Sequence, residues 1–245
     1  MRAPEISIIT SYFNAAENPE FLEEAYNSIL SQDVDWEWII QCDRPMVDRD
    51  RQLIRKDPRV KVFNNPKRLG TAVSKNRALT HSRGEHIFAL DDDDYIAPNA
   101  LKKLLAALER DPESFASFGH CATVSLDGAI ENFRVWPPES RKVMPGEVDG
   151  AFFQGYFLLT AATLLWRRKH LVSLGGWMAL HNSEDTGVVV TAAARWPMIA
   201  LAEIVYYYRE TEASNTSSPE FKTERKDRFS FIQDRITYSK ELEDE

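Results

Sequence analysis

The sequence has few cysteines and few glycines, and neither residue type forms a known ligand-binding pattern. Cys42 and Cys121 are the only two cysteines among 245 residues, and neither belongs to a Cys-x-x-Cys or Cys/His grouping. A zinc site or a redox dithiol is therefore not indicated, and we expect two buried free thiols. The glycines form neither G-x-x-x-x-G-K nor G-x-G-x-x-G, so a P-loop hydrolase or a dinucleotide-binding fingerprint is not supported.

The sequence also lacks an excess of positive charge and lacks a long apolar run. Lys and Arg number 30 against 38 Asp and Glu, which argues against a general surface for nucleic acid or anionic membranes. The chain enters an apolar strand almost at once, without the successive regions of a secretion signal. The apolar stretch 151–166 is shorter than the ~20 residues that a spanning helix needs. We therefore expect a soluble cytoplasmic protein with no transmembrane segment.

The first part of the chain alternates short apolar runs with amphipathic stretches. Runs at 6–10, 36–42, 60–63 and 86–90 predict strands, and the segments between them show the apolar spacing of helices. Repeated β-α-β units place parallel strands in one sheet with right-handed crossovers. We therefore expect an α/β fold with a mixed, mostly parallel central sheet flanked by helices.

The pattern changes after residue 112. Two apolar runs on either side of Asp127-Gly128 predict an antiparallel hairpin, and 137–150 has the composition of a loop. Segment 211–219 is rich in Ser, Thr, Glu and Asn, which predicts a mobile connection that could close as a lid. Apolar residues at helical spacing follow, and they predict a tail helix packed on the body or on the second subunit of a homodimer: Phe229, Ile232 and Ile236.

Four consecutive aspartates, Asp91 to Asp94, follow the apolar run 86–90. Ligands of open α/β sheets bind at the carboxyl ends of the strands, where Ser11, Tyr12 and Asp43 also fall. Adjacent carboxylates repel one another unless a cation, a helix N-terminus or protonation relieves them. Mg²⁺ or Mn²⁺ is the simplest relief, because both prefer oxygen ligands and keep positions for phosphate oxygens. A solvated acidic turn before a helix is the alternative interpretation.

A second acidic pair, Glu184 and Asp185, follows Ser183. With Ser183 as an N-cap, Asp185 would be a carboxylate in the first turn of a helix and nothing more. The alternative is a general base that takes a proton from an attacking hydroxyl. A calcium EF-hand beginning at Asp91 fails on spacing, because Ile96 and Lys102 occupy the positions that require Gly and Glu.

Five ordered motifs resemble those of the family 2 glycosyltransferases of the GT-A fold. They are ISIITSYFN, FLEEAYNSILSQ with WEWII, KNRAL, RGEHIFALDDDDYIAP, and LGGW followed by SED and YYYR. The resemblance covers residues 5–210 and implies a single GT-A-like domain. Its parts would be a Rossmann-like nucleotide-sugar-binding half (1–112), an acceptor-binding half (113–212) and a C-terminal tail (213–245).

The resemblance also implies a reaction and roles for individual residues. The reaction would move one sugar, with inversion, from a nucleoside-diphosphate sugar to an acceptor hydroxyl, with a UDP-sugar as the default donor. The implied roles are nucleotide contact for Ser11, Tyr12 and Asp43, and diphosphate contact for Lys75 and Arg77. Asp91, supported by Asp92, would contact the ribose or the water shell of the metal, and Asp93 would bind Mn²⁺ or Mg²⁺ directly. Asp185, beside Glu184, would be the general base.

The chain departs from the family pattern in two places. Cys42-Asp43 is followed by Arg44 and Pro45 where Gly-Ser is usual, which bears on the identity of the nucleotide. No Q-x-x-R-W motif follows the second acidic pair, so transfer of a single sugar is expected and processive polymerisation is disfavoured. A nucleotidyltransferase and a catalytically silent nucleotide- or sugar-binding protein stay as alternatives. Five aromatic residues either stack on a sugar or fill the core: Trp136, Phe152, Phe153, Tyr156 and Trp177.

Overall fold

The computed structural model describes residues 3–13, 18, 20–126, 128–210 and 219–241. Nearly all of the predicted lid segment, 211–218, lies outside the described residues, whereas Pro219 begins a short helix. The strands are β1 (Ile6–Tyr12), β2 (Trp36–Cys42), β3 (Val60–Asn64), β4 (His86–Ala89), β5 (Tyr95–Ile96), β6 (Ala116–Val124), β7 (Ile130–Arg134), β8 (Arg141–Val143), β9 (Leu165–Arg167) and β10 (Met198–Arg209).

The helices connect and cover these strands. They are α1 (Phe21–Leu30), α2 (Asp48–Ile54), α3 (Thr71–His81), α4 (Ala100–Arg110), α5 (Val148–Phe153), α6 (Arg168–Ser173), α7 (Glu184–Ala193), α8 (Pro219–Thr223) and α9 (Arg225–Glu241), with a 3₁₀ turn at Ala161–Thr163. In the described ranges, none of these helices combines the length and the apolar character needed to cross a membrane. Both cysteines are buried free thiols, as expected.

The N-terminal half is a parallel sheet of order β3-β2-β1-β4. β1 pairs with β2 from Ile6↔Trp36 to Tyr12↔Cys42, and its other edge pairs with β4. The chain order therefore reverses direction between β1 and β4. Such a reversal leaves a crevice at the carboxyl ends of the two strands, which is where ligands bind in open α/β sheets.

The sheet continues from β4 through β9, β6 and β10 to β5. β9 runs antiparallel between β4 and β6, whereas β10 returns parallel to β6. β7 folds back on β6, which confirms the predicted hairpin. The prediction of a loop at 137–150 was wrong, because β8 pairs with β10 inside it and α5 begins at Val148. The architecture is the predicted mixed sheet flanked by helices.

Helices cover both faces of the sheet, and each face has its own core. On one face, α1 and α4 pack on alternate strand residues such as Ile8, Trp38 and Phe88. On the other face, α3, α5 and α7 pack on the intervening residues, and α9 completes this layer through Ile232 and Ile236, both 0% exposed. Burying one such side chain stabilises the fold by about 1.5–3 kcal/mol. The tail helix therefore packs on the body, and a homodimer through it stays a prediction.

Candidate active site

The acidic run lies in the crevice between β1 and β4, and its four side chains divide into two groups. Asp92 and Asp94 are buried, at 2% and 1% exposure, whereas Asp91 and Asp93 are partly exposed. Burial alternates along the short loop between β4 and β5. Asp91 and Asp93 are therefore the pair that solvent or a ligand can reach.

The two buried aspartates hold the loop in place. Asp92 Oδ2 accepts a 2.6 Å hydrogen bond from the backbone N–H of Phe13, which ties the loop to the turn after β1. Asp94 accepts hydrogen bonds from the Tyr206 hydroxyl (2.8 Å) and from the Arg209 N–H (2.7 Å) of β10. Burial, with Asp93 and Asp91 nearby, raises the pKa of Asp94 well above its ordinary value. These contacts give both side chains a structural role.

Arg209 fixes the loop from the last residue of β10. Its Nε donates to the carbonyl of Asp93 at 2.9 Å, and its guanidinium pairs with Glu24 of α1. The guanidinium also lies over the rings of Phe21 and Tyr95, at 4.7 and 5.6 Å. A cation over an aromatic face adds to the stability of the pair. β10, the last strand in the chain, therefore holds the acidic loop.

Lys75 of α3 joins the two acidic sites that the sequence predicted. Its ammonium lies 3.0 Å from Asp91 and 3.4 Å from Glu184, and its side chain is 4% exposed. Burial by itself would lower the pKa of Lys75, but Asp91, Glu184 and Asp185 outweigh burial and raise it. The ammonium of Lys75, which was predicted to contact the diphosphate, is therefore already paired with carboxylates.

Arg77, the other predicted diphosphate residue, does not join this cluster. It is exposed, and it lies two residues after Lys75 on α3. Two residues correspond to about 200° around a helix, so Arg77 faces away from the side that carries Lys75. The structure therefore does not bring Arg77 to the crevice.

Glu184 and Asp185 begin α7. Ser183 does not cap this helix with its side chain as predicted; it adopts a left-handed conformation (φ 64°), and its carbonyl accepts from Gly187 N–H. Burial, together with Asp185 and Asp91, raises the pKa of Glu184 to about 7 against the opposing effect of Lys75. Asp185 is more exposed and accepts from Thr186 N–H at 2.6 Å. Asp185 is therefore the more accessible carboxylate of the pair.

Asp43 organises the edge of the crevice next to β2. Its Oδ1 accepts from the Leu69 N–H (2.7 Å) and the Asn65 amide (2.9 Å), and its Oδ2 accepts from the Gly70 N–H (2.9 Å). Burial opposes ionisation of Asp43, but these donors favour the carboxylate and lower its pKa. Ser11, 6% exposed, is the next-to-last residue of β1 and lies on the same face of the sheet as Ile9.

Contrary to the prediction, Tyr12 does not face the crevice. Its ring is fully buried in the core, and its hydroxyl donates to Asp50 of α2 at 2.6 Å. The next residue, Phe13, has two cations near its ring, with the guanidinium carbons of Arg68 and Arg44 at 4.3 and 5.4 Å from the ring centre. Alternation along β1 explains the difference, because Ser11 and Tyr12 must point to opposite faces.

The acceptor-side aromatic residues divide between core and surface. Phe152 and Trp177 are buried in the core, at 0% and 4% exposure, whereas Phe153 and Tyr156 are 46% and 65% exposed. Trp136 is partly exposed and stacks with Phe118 at 6.1 Å. Phe153 and Tyr156 are therefore largely exposed, whereas the Trp177 ring fills the core.

A cavity of about 440 Å³ lies at the amino end of β4, away from the acidic loop that follows its carboxyl end. Arg167 and Arg168 line it. Arg167 donates to the carbonyls of Leu108, Asp111 and Ser114, and Arg168 donates to that of Leu79. These arginines bond to carbonyls at and after the C-terminal ends of α4 and α3, so both have a structural role.

The sequence did not single out several residues that build the crevice. Tyr206 and Arg209 stood in the YYYR motif without an assigned role, and Asn65 gave no signal. Among the described residues, no group of three or more His, Cys, Asp or Glu side chains is arranged to hold a metal ion. The partly exposed Asp91 and Asp93 nevertheless supply the oxygen ligands that Mg²⁺ and Mn²⁺ prefer when phosphate and water complete the shell.

A mixed sheet that begins 3-2-1-4 and carries two acidic sites at its crevice is the arrangement expected of a GT-A-type glycosyltransferase. The sequence matches the profile of glycosyl transferase family 2 over residues 7–145, and the chain belongs to that family. It is 28% identical over 190 residues to an uncharacterised glycosyltransferase of Methanocaldococcus jannaschii, covering 76% of this chain and 63% of that protein. Chondroitin synthase of Pasteurella multocida is 25% identical over 233 residues, which is 93% of this chain and 23% of the synthase.

Solved structures share the fold. The complex of S. aureus TarS 1-349 with UDP-GlcNAc superposes with a TM-score of 0.73 at 19% identity, covering 96% of this chain and 66% of that one. The complex of the same TarS fragment with UDP gives a TM-score of 0.71 at 18% identity. This chain covers 63% of the M. jannaschii protein and 23% of the chondroitin synthase, so it spans less than two thirds of the length of these two relatives.

Proposed function

We propose that this chain transfers one sugar from a UDP-sugar to an acceptor hydroxyl, with inversion at the anomeric carbon. The observation that carries the proposal is Lys75, whose ammonium contacts Asp91 at 3.0 Å and Glu184 at 3.4 Å. One buried cation thereby joins the donor-side acidic loop to the acceptor-side acidic pair. Family membership supports the reaction class, and the UDP-GlcNAc complex of TarS supports the donor class.

In the proposed reaction Asp185 is the general base. Its partly exposed carboxylate takes the proton of the acceptor hydroxyl, the acceptor oxygen bonds to the anomeric carbon, and the bond from that carbon to the diphosphate oxygen breaks. Attack from the side opposite the diphosphate inverts the configuration. Mn²⁺ or Mg²⁺ held by Asp93, with Asp91 at its water shell, would neutralise charge on the departing diphosphate.

The nucleotide is assigned to the edge formed by Ser11, Phe13 and Asp43. The Leu69 and Gly70 N–H groups, the Asn65 amide and the Ser74 side chain already bond to the Asp43 carboxylate, so Asp43 holds the backbone that shapes this edge. Arg44 and Arg68 beside the Phe13 ring add positive charge at the same edge. This charge suits a nucleotide diphosphate.

Nucleotide binding is the first test of the proposal. We expect UDP with Mn²⁺ to raise the melting temperature more than GDP, dTDP or UDP with EDTA, because a ligand of the folded state stabilises it. A catalytically silent binding protein would show the same shift without releasing UDP from UDP-GlcNAc. Equal melting temperatures with and without every nucleoside diphosphate would overturn the proposal.

The general base is tested by Asp185→Asn. We expect turnover to fall by about a hundredfold or more, with the dissociation constant for UDP unchanged, because base catalysis contributes about 10²–10⁴-fold. Asp48→Asn is the matched control, since Asp48 is also in the first turn of a helix but is exposed on α2. Unchanged turnover of Asp185→Asn would overturn the assignment of Asp185 as the general base.

A further inference from the structure

The side chain of Asn76 holds the backbone of Trp177, 101 residues later in the chain. Its Nδ2 donates to the Trp177 carbonyl at 2.9 Å, and its Oδ1 accepts from the Trp177 N–H at 2.8 Å. One amide group therefore satisfies both backbone groups of a single residue. This arrangement fixes the position and the orientation of that residue against α3.

The backbone held by Asn76 leads directly to the acidic pair. Met178, the next residue, donates its N–H to the carbonyl of Glu184 at 3.3 Å. Its side chain also packs on Gly187, where an added Cβ would lie only 2.1 Å from Met178 Sδ. Residues 177 and 178 therefore support the first turn of α7 from two directions.

We propose that Asn76 is a positioning residue, which sets the place of Asp185 relative to the donor by fixing Trp177 and, through Met178, the start of α7. The inference rests on the proposed function, because it concerns the same crevice. Asn76 follows Lys75 on α3, so two adjacent residues of one helix hold the acceptor-side segment. Lys75 holds Glu184 by charge, and Asn76 holds the supporting backbone by hydrogen bonds.

Gly176 leaves the space that this amide requires. A Cβ at Gly176 would lie 2.1 Å from Asn76 Oδ1 and 3.1 Å from its Cγ. Gly175 has nearly the same left-handed backbone, with φ +84° against +82°, but a Cβ there meets nothing within 4 Å. Gly175→Ala therefore introduces backbone strain alone, whereas Gly176→Ala introduces the same strain and displaces the Asn76 amide.

This pair gives the first experiment. Turnover of UDP-GlcNAc, or of the donor selected by the nucleotide screen, and the dissociation constant for UDP with Mn²⁺ are measured for both variants. We expect Gly176→Ala to lose about ten- to a hundredfold in kcat relative to Gly175→Ala, since a misplacement of about 1 Å can cost a hundredfold. The two dissociation constants should agree within about twofold. Equal kcat values for the two variants would overturn the inference.

A second variant tests the amide directly and decides the matter if Gly176→Ala does not fold. We expect Asn76→Ala to lower kcat by about tenfold or more and to speed amide hydrogen exchange in 177–187 but not in 6–12. Ser7→Ala is the control, because the Ser7 hydroxyl joins Glu37 and Gly84 at the opposite end of the sheet. Its exchange in 177–187 and its kcat should match the unaltered chain.

The outcomes separate the inference from the function on which it rests. Faster exchange in 177–187 with unchanged kcat would mean that Asn76 is a structural tie only, and would overturn the inference alone. If the unaltered chain neither binds UDP nor releases UDP from any UDP-sugar, the proposed function is overturned, and the positioning role with it. The kcat of the double variant Asn76→Ala/Gly176→Ala should be no lower than the value obtained by combining the separate losses of Asn76→Ala and Gly175→Ala. The reason is that the Asn76 oxygen, which would collide with the new Cβ, is gone.

Discussion

Asp94 and Tyr206 form a buried hydrogen bond of 2.8 Å, which joins the acidic loop to β10. The Tyr206 oxygen also accepts from the Asp91 N–H at 3.2 Å. Tyr206→Phe should therefore lower the free energy of unfolding by about 1–3 kcal/mol, because it leaves a buried acceptor and a backbone donor unmatched. Urea denaturation measures the change. Tyr207→Phe, which keeps the ring stacked on Tyr95, should change it little, and equal losses for both variants would contradict the prediction.

Removing Lys75 should destabilise the protein in a pH-dependent way. Lys75→Met leaves Asp91 and Glu184 without their shared cation, and breaking a buried ion pair costs about 3 kcal/mol. Without Lys75 the pKa of Glu184 rises above its present value of about 7, so the deficit should shrink between pH 8 and pH 6 as Glu184 takes up a proton.

Urea denaturation at both pH values measures this deficit. Lys102→Met is the control, because both partners of the Lys102–Asp33 pair are exposed and such a pair contributes at most about 1 kcal/mol. A deficit for Lys75→Met that grows as the pH falls would contradict the assigned environment.

Glu37 should make the protein sensitive to acid. Burial opposes its ionisation, but Lys61, Ser7 and the Arg83 N–H outweigh burial and lower its pKa below the ordinary value of 4.5. A lowered pKa in the folded state gives stability that is complete above pH 4.5 and is lost as the pH falls through the lowered value. The melting temperature should therefore decline below pH 4.5, and Glu37→Gln should reduce the slope of that decline. An unchanged slope would mean that other carboxylates carry the effect.

Metal removal should separate nucleotide binding from folding. With EDTA, turnover should be lost and the stabilisation by UDP should weaken, and added Mn²⁺ or Mg²⁺ should restore both. The melting temperature without nucleotide should stay constant, because hydrogen bonds to Phe13, Tyr206 and Arg209 hold the acidic loop in the described structure. Asp93→Asn should reproduce the effect of EDTA. Full turnover in EDTA would show that Asp93 has no metal to bind.

The tail helix should contribute measurably to stability. Ile236→Ala deletes a fully buried side chain at the contact of α9 with the body, which costs about 2–5 kcal/mol. Tyr238→Ala on the same helix, at 54% exposure, should cost less than about 0.5 kcal/mol. Thermal and urea unfolding measure both variants. Equal losses of unfolding free energy for the two variants would contradict the packing of Ile236 against the body.

The sequence located the two acidic clusters of the candidate site, but it did not decide which neighbouring side chains share a face. The acidic run and the Glu184-Asp185 pair were found because each stands beside a local signal, an apolar strand in one case and a helix start in the other. The carboxyl end of the first strand predicts crevice positions for both Ser11 and Tyr12, yet neighbours on a strand face opposite sides. The resemblance of KNRAL to the family motif implies diphosphate contacts for both Lys75 and Arg77, yet only Lys75 lies on the inner face of α3.

The sequence by itself determined the alternation of strands and helices in the first half, the hairpin and the position of the acidic residues, because periodicity and turn residues act over a few neighbours. It did not predict β8 or the start of α5 within 137–150. Only the tertiary structure decided that Asp92 and Asp94 turn inward, that Lys75 joins Asp91 to Glu184, and that Asn76 holds Trp177. Lys75 and Glu184 are 109 residues apart in the chain, and no local pattern encodes such a pair. These contacts arise when the helices close over the sheet, since burial then requires each polar group to find a partner.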